Sequence, residues 1–219
     1  MKDIASRCMT LHMSVRRSRL RSGFCSSNSR TVLTLSACRL YNCPMPIPFS
    51  AYAAKVQERI EHHYGIRVVT RDIPDPLTGD LNGEEIDIDF AVTAEQKLFL
   101  LGHLFGHTVQ WNTNSSSFDI GKQCKPPVDE KLFPAVLAYE GEAASYGLAL
   151  MHEIGITDTD QWFSNYTAAD QRYLLHFYRT GDKGEFHEFW REHAKLVEPK
   201  GIPKFVPRKR VFRMDGVVI

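Results

Sequence analysis

Leu98-Phe99-Leu100-Leu101-Gly102-His103-Leu104-Phe105-Gly106-His107-Thr108-Val109-Gln110 is the stretch whose reading decides the fold. It reads as a helix in which His103 and His107 stand at i and i+4. Both side chains then leave one helix face a turn apart, and their ring nitrogens can converge on one metal ion. Leu100 and Gln110 flank them on that face. Gly102 and Gly106 together cost about 1.5–2 kcal/mol relative to alanine inside a helix. A closely packed neighbour, such as a second helix bearing a metal ligand, would require them. Two core histidines held by ordinary hydrogen bonds would give the same spacing.

Upstream, Thr93 and Gln96 form a capping box, so the helix is expected from 93 to about 109 or 111. Before it, Glu85-Ile86-Asp87-Ile88-Asp89-Phe90 alternates as a strand. Ile86, Ile88 and Phe90 are expected in the core, with Asp87 and Asp89 on the wet face. A second metal site at these aspartates is the minor reading. Asn82-Gly83 marks a hairpin turn, 66–69 a short strand, and 51–64 a helix capped by Ser50 and ended by Gly65.

Downstream, Asn112 to Ser117 breaks the helix and 118–128 reads as loop. A long helix is expected over 129–153, interrupted at Pro134 and closed by Gly155. Further helices are expected at 158–165, at 168–179 (Thr167 as cap, Asp170 as its N3 acid) and at 183–195. Aromatic residues at 162, 163, 166 and at 186, 189, 190 fit core spacing. The segment from Pro199 onward is expected to run extended across the body. The whole is an α+β layout, mostly helical with a small twisted sheet on the metal-binding helices.

A third ligand is available on the 129–153 helix. Glu140 and Glu142 follow His107 by 33 and 35 positions. Glu142 shares a face with Tyr139 and Tyr146, and Glu140 is two positions off and points elsewhere. Two histidines and one glutamate leave a coordination position open, as catalytic metals require.

With these residues in place, the segment from about Ile86 to Gln110, followed by 140–150, resembles the ImmA/IrrE-like (gluzincin-type) zinc metallopeptidase domains. Glu142-Ala143-Ala144-Ser145-Tyr146-Gly147 resembles the second motif of that family. The resemblance covers roughly 50–153. It implies a zincin-like fold, zinc held by His103, His107 and Glu142, and Gly106 as the glycine before the second histidine. The family's catalytic glutamate, which polarises the metal-bound water, falls on Leu104. Loss of such an acid–base group typically lowers rates by about 10²–10⁴.

The functional expectation is a metal-binding protein of metallopeptidase-like fold that is not a conventional peptidase, with Zn2+ as its ion. Hydrolytic or lyase chemistry on a small substrate remains open to it. Glu140, Tyr146 and His176 are then the candidates for proton handling, while His152 and His187 read as surface residues. A non-catalytic metal-stabilised interaction or regulatory protein is the alternative. So is a mononuclear iron oxygenase, because two histidines and a carboxylate also bind Fe2+.

Charge divides the chain. Residues 1–44 hold eight basic residues and one acid, net +7; the remaining 19 basic and 25 acidic residues leave 45–219 at −6. Cys8, Cys25, Cys38 and Cys43 also lie in the first segment. It reads as a basic, disordered leader, either an arbitrary translated stretch ahead of a start at Met45 or an organellar targeting segment. A nucleic-acid arm is the weaker reading. Residues 45–219 read as one domain with a single cysteine, Cys124, so no disulfide framework is implied there. No 18-residue apolar run occurs. The expected setting is cytoplasmic, or organellar if the leader is a targeting segment. The expected partner is a small molecule or peptide, not nucleic acid or membrane, and the oligomeric state is open.

Overall fold

A computed structural model describes residues 46–210, except 75–76 and 124–126. The leader expected over 1–44 lies outside the described residues, as does Cys124. The axis of the fold is α2 (Ala94–Thr113). The expected capping box starts it: Thr93 Oγ1 accepts from the Gln96 amide at 3.2 Å, and Gln96 Oε1 accepts from the Thr93 amide at 2.9 Å. Every residue from Leu98 to Trp111 is buried. A helix apolar on nearly all sides must meet protein on all sides, and α2 does.

On one side of α2 lie α1 (Phe49–Tyr64) and a three-stranded sheet. β1 (Arg67–Arg71) runs parallel to the central β3 (Glu85–Asp89), and β2 (Gly79–Leu81) pairs antiparallel on its other edge. The turn between β2 and β3 falls at Asn82-Gly83. Asn82 Oδ1 accepts from the amides of Glu84 and Glu85 at 3.1 and 3.0 Å, and Gly83 takes φ +92°. Ile86 and Ile88 are in the core as expected, but Phe90 is 66 % exposed. Strand pairing stops at Asp89, whose carboxylate accepts from the amides of Ile73 (2.8 Å) and Ala91 (2.7 Å) and turns the chain. Asp89 is therefore buried, and Asp87 pairs with Arg71 at 2.8 Å. Among the described residues neither belongs to a group of side chains that could hold a metal ion.

On the other side of α2 lies α4 (Phe133–Glu153), with Pro134 in its first turn, where its missing N–H leaves no bond unmade. The approach is very close. A Cβ at Gly106 would stand 2.0 Å from the Ala143 carbonyl oxygen, and one at Gly147 would stand 2.6 Å from that of Gly102.

Several expected boundaries differ: the helix expected from 129 opens with a 3₁₀ turn, Glu130–Leu132, before α4, and the strand expected over 66–69 is Arg67–Arg71. Phe49 rather than Ser50 opens α1, with Pro48 at the cap position. Much of the expected 112–128 break is helical: α2 continues to Thr113, and α3 (Ser115–Gln123) follows the extended Asn114. The helices expected at 158–165 and 168–179 are one, α5 (Asp160–Thr180). Thr167 and Asp170 are buried within it because the apolar period runs through them unbroken. Only one 3₁₀ turn, Phe186–Phe189, forms in 183–195, after Gly184 at φ +53°. Phe186 and Trp190 nevertheless pack on Tyr166, with ring centroids 5.1 and 5.7 Å away.

The extended segment from Pro199 straps the surface as expected. The amide of Lys200 donates to Ser145 O (3.1 Å), that of Arg208 to Asn112 Oδ1 (3.0 Å) and that of Arg210 to Asn82 O (2.7 Å). Among the described residues no helix is long and apolar enough to cross a membrane.

Two alanine substitutions should separate packing from propensity. Gly106→Ala is expected to destabilise by about 3 kcal/mol or more, because α4 backbone blocks the new methyl. Gly141→Ala, where the nearest atom is Gln171 Nε2 at 3.7 Å, is expected to stabilise by about 0.5–1 kcal/mol. Urea unfolding midpoints measure both.

Candidate metal centre

The backbone approach of α2 to α4 sets the site. Ala143 and Gly147 mark the α4 face that touches α2, and Glu140 lies one turn before Ala143 on that face. Its Oε2 is 3.0 Å from His107 Nε2 and 3.4 Å from His103 Nε2, and the two Nε2 atoms are 3.1 Å apart. His103, His107 and Glu140 thus form a buried 2-His-1-carboxylate triad, 2 %, 4 % and 4 % exposed.

The carboxylate beside the histidines is Glu140, where Glu142 was expected. Residues two apart on a helix are separated by about 200°, so only one of these glutamates can face α2. The stripe Glu140, Ala143, Gly147 carries the legible signal: small residues at i+3 and i+7 show which side of α4 is closely packed. Alignment of Glu142 with Tyr139 and Tyr146 pointed to the neighbouring side.

Glu142 stands one layer out. Gln110 Nε2 donates to Glu142 Oε2 and to the Tyr139 carbonyl, both at 2.9 Å, and Lys200 donates to Glu142 Oε1. Burial works to raise the Glu142 pKa. The hydrogen bonds from Lys200 and Gln110 and the charge of Lys200 outweigh it and hold the carboxyl below its ordinary value.

These contacts fix the chemistry of His107. Both partners of the Gln110 amide nitrogen are pure acceptors, so Gln110 Oε1 faces His107 Nδ1 at 2.9 Å. An amide oxygen only accepts, hence Nδ1 carries the proton. In the neutral ring, Nε2 is then a bare lone pair aimed at Glu140 and His103. The ring is held flat against Tyr139, centroids 4.4 Å apart, and the Tyr139 hydroxyl accepts from Trp111 Nε1 at 2.8 Å. The Glu140 oxygen and the His107 Nε2 lone pair both accept, and His103 Nε2 lies 3.1–3.4 Å from them. One proton can bridge only one pair of them, whereas a cation among them serves all three. Tetrahedral ligands at about 2.0–2.1 Å from an ion are themselves about 3.3–3.4 Å apart.

The other candidates lie elsewhere. Leu104 is fully buried, and its Cδ1 would stand 3.0 Å from a Cβ at Gly79. It belongs to the contact between α2 and the sheet. Tyr146 is buried beside Lys200, whose Nζ is 5.2 Å from the ring centroid. His176 packs on Phe189 at 5.4 Å. His152 binds Asp160 at 2.8 Å, and His187 is exposed.

No protein-family model matches the chain, and neither a curated protein nor a solved structure matches it.

At pH 8, nitrogen-resolved NMR of metal-free protein is expected to show His107 with a proton on Nδ1. A neutral ring protonated only at Nε2 would contradict the Gln110 assignment.

Proposed function

We propose that the protein binds a divalent metal ion between α2 and α4 through His103, His107 and Glu140, and that it is not a conventional peptidase. The observation that carries this is the Gln110 hydrogen-bond arrangement, which turns the His107 Nε2 lone pair toward two other ligand atoms. A histidine ligand oriented through its other nitrogen is the usual mark of a metal seat. A bound ion would supply Lewis acidity and join the two helices.

Zinc is the first reading of the ion, in keeping with the resemblance to ImmA/IrrE-like domains. That resemblance implied Glu142 as the third ligand, whereas the carboxylate beside the histidines is Glu140. Iron is the second reading, because two histidines and a carboxylate form its facial triad as well. Leu104 supports the exclusion of ordinary peptide hydrolysis. An apolar side chain sealed against the sheet neither accepts a proton nor leaves room for a group that would.

Burial of all three ligands favours an ion that stabilises the fold, in an interaction or regulatory protein. Hydrolytic or lyase chemistry on a small substrate is supported by one feature. Among the described residues three side chains converge, which leaves a position for a further ligand.

Protein purified without nickel affinity is expected to carry about one metal ion per chain by elemental analysis. His107→Ala should lose it. Saturating metal is expected to raise the Tm by about 10 °C when free metal is a thousandfold above Kd. Unchanged metal content in His107→Ala would refute the seat.

Restoring the family's glutamate with Leu104→Glu is expected to destabilise by about 3 kcal/mol or more, since the carboxylate enters a sealed core without a partner. It should yield no proteolysis of unstructured substrates. Metal-dependent cleavage by the wild type would overturn the non-peptidase reading.

A further inference from the structure

Lys200 stands at the outer end of a path of side-chain hydrogen bonds that leads from the surface to the seat. Its ammonium group donates to Glu142 Oε1 and lies 5.2 Å from the Tyr146 ring centroid. The other oxygen of that carboxylate accepts from Gln110 Nε2 at 2.9 Å, and Gln110 Oε1 accepts from His107 Nδ1 at 2.9 Å. Exposure falls steeply along the path. The Lys200 and Glu142 side chains are 52 % and 31 % exposed, while Gln110 and His107 are buried.

The segment that carries Lys200 is held lightly. From residue 191 to residue 210 the chain forms no helix or strand. Its backbone amides are tied at separate points. That of Ala194 donates to Asn165 Oδ1 (3.0 Å), that of Val197 to Ser164 Oγ (2.9 Å) and that of Lys200 to Ser145 O (3.1 Å). Val197, Ile202 and Phe205 are only partly buried against the core, and Leu196 and Val206 are exposed. Segments built this way open at a lower free energy than the helices beneath them.

The Glu142 carboxylate joins the two facts, with one oxygen on the strap and the other on the amide that orients His107. A strap that lifts away takes Lys200 with it and leaves Glu142 free to turn to solvent. Gln110 then loses one of its two acceptors and holds the His107 ring less firmly. Outer partners of a histidine ligand typically tune metal affinity by about 10–100-fold. Whatever factor the docked strap adds to metal affinity, a bound ion adds to strap docking, because such coupling is reciprocal.

We propose that Lys200 is a positioning residue of the metal seat, and that docking of the strap and binding of the ion reinforce each other. The strap is then a metal-responsive latch: loss of the ion loosens it and uncovers Ser145, Ser164 and Asn165 on α4 and α5. This rests on the metal reading above and adds its regulation.

Zinc titration of the full chain tests it, with affinity read by competition against a chromophoric chelator. Hydrogen exchange of the Lys200 amide is followed by NMR with and without saturating zinc. Zinc is the probe because nitrogen–oxygen sites bind it more tightly than ferrous iron. Lys200→Met is expected to weaken zinc binding about tenfold, and Lys200→Arg, which keeps the charge, should stay within about threefold of wild type. In the wild type, zinc should slow exchange of the Lys200 amide about tenfold. The same amide in Lys200→Met should respond much less. A merely structural lysine would leave zinc affinity alone. Zinc affinity of Lys200→Met within about twofold of wild type, or a wild-type Lys200 amide whose exchange ignores zinc, would overturn the coupling and leave the seat in place. Wild-type protein that binds no zinc would overturn the seat itself, and this inference with it.

Discussion

The contact on which the rest depends is backbone against backbone: Gly106 against Ala143, and Gly147 against Gly102. A side chain at either glycine would push α4 outward. At the present separation, a glutamate on α4 reaches two histidines on α2 with oxygen-to-nitrogen distances of 3.0 and 3.4 Å. Two mid-helix glycines in α2 weaken that helix intrinsically. Burial of Leu98 through Trp111 on every side offsets the loss. The weak spot in propensity and the close approach are thus one feature, and the site follows from it.

From that contact a chain of polar groups runs outward through His107, Gln110, Glu142 and Lys200. Each member fixes the next. The lysine charge holds Glu142 ionised, Glu142 and the Tyr139 carbonyl orient the Gln110 amide, and the amide sets the proton on His107. Lys200 belongs to the extended segment that straps α4 through Ser145. The strap therefore does more than cover the surface: it ends a relay that determines which nitrogen of a buried histidine is available.

The sequence made some of this legible, and physical reasons separate what it showed from what it hid. The histidine helix, its capping box, the hairpin at Asn82-Gly83 and the close-packed glycines all have local signatures, since i to i+4 spacing and turn chemistry are short-range. The choice between Glu140 and Glu142 depended on which face of α4 meets α2, a tertiary fact betrayed only by the small residues at 143 and 147. Phe90 left the core because Asp89 caps the end of its strand, and strand alternation says nothing of where pairing stops. The continuity of α5 was hidden by a false boundary. Thr167-Ala168-Ala169-Asp170 imitates a helix start, yet the buried positions 162, 163, 166, 169, 170, 173 and 174 keep helical period straight through it.

Leu104 bears on the charge of the site. A His-Glu-x-x-His helix carries a carboxylate of its own beside its histidines; here the position after the first histidine holds a leucine committed to the sheet contact, so α2 supplies two imidazoles and no charge. The carboxylate of the triad comes from α4, as Glu140. The charge that a cation would need is therefore delivered across the helix pair, and it reaches the histidines because Gly106 and Gly147 let the two backbones approach so closely. The same contact that sets the fold sets the electrostatics of the site.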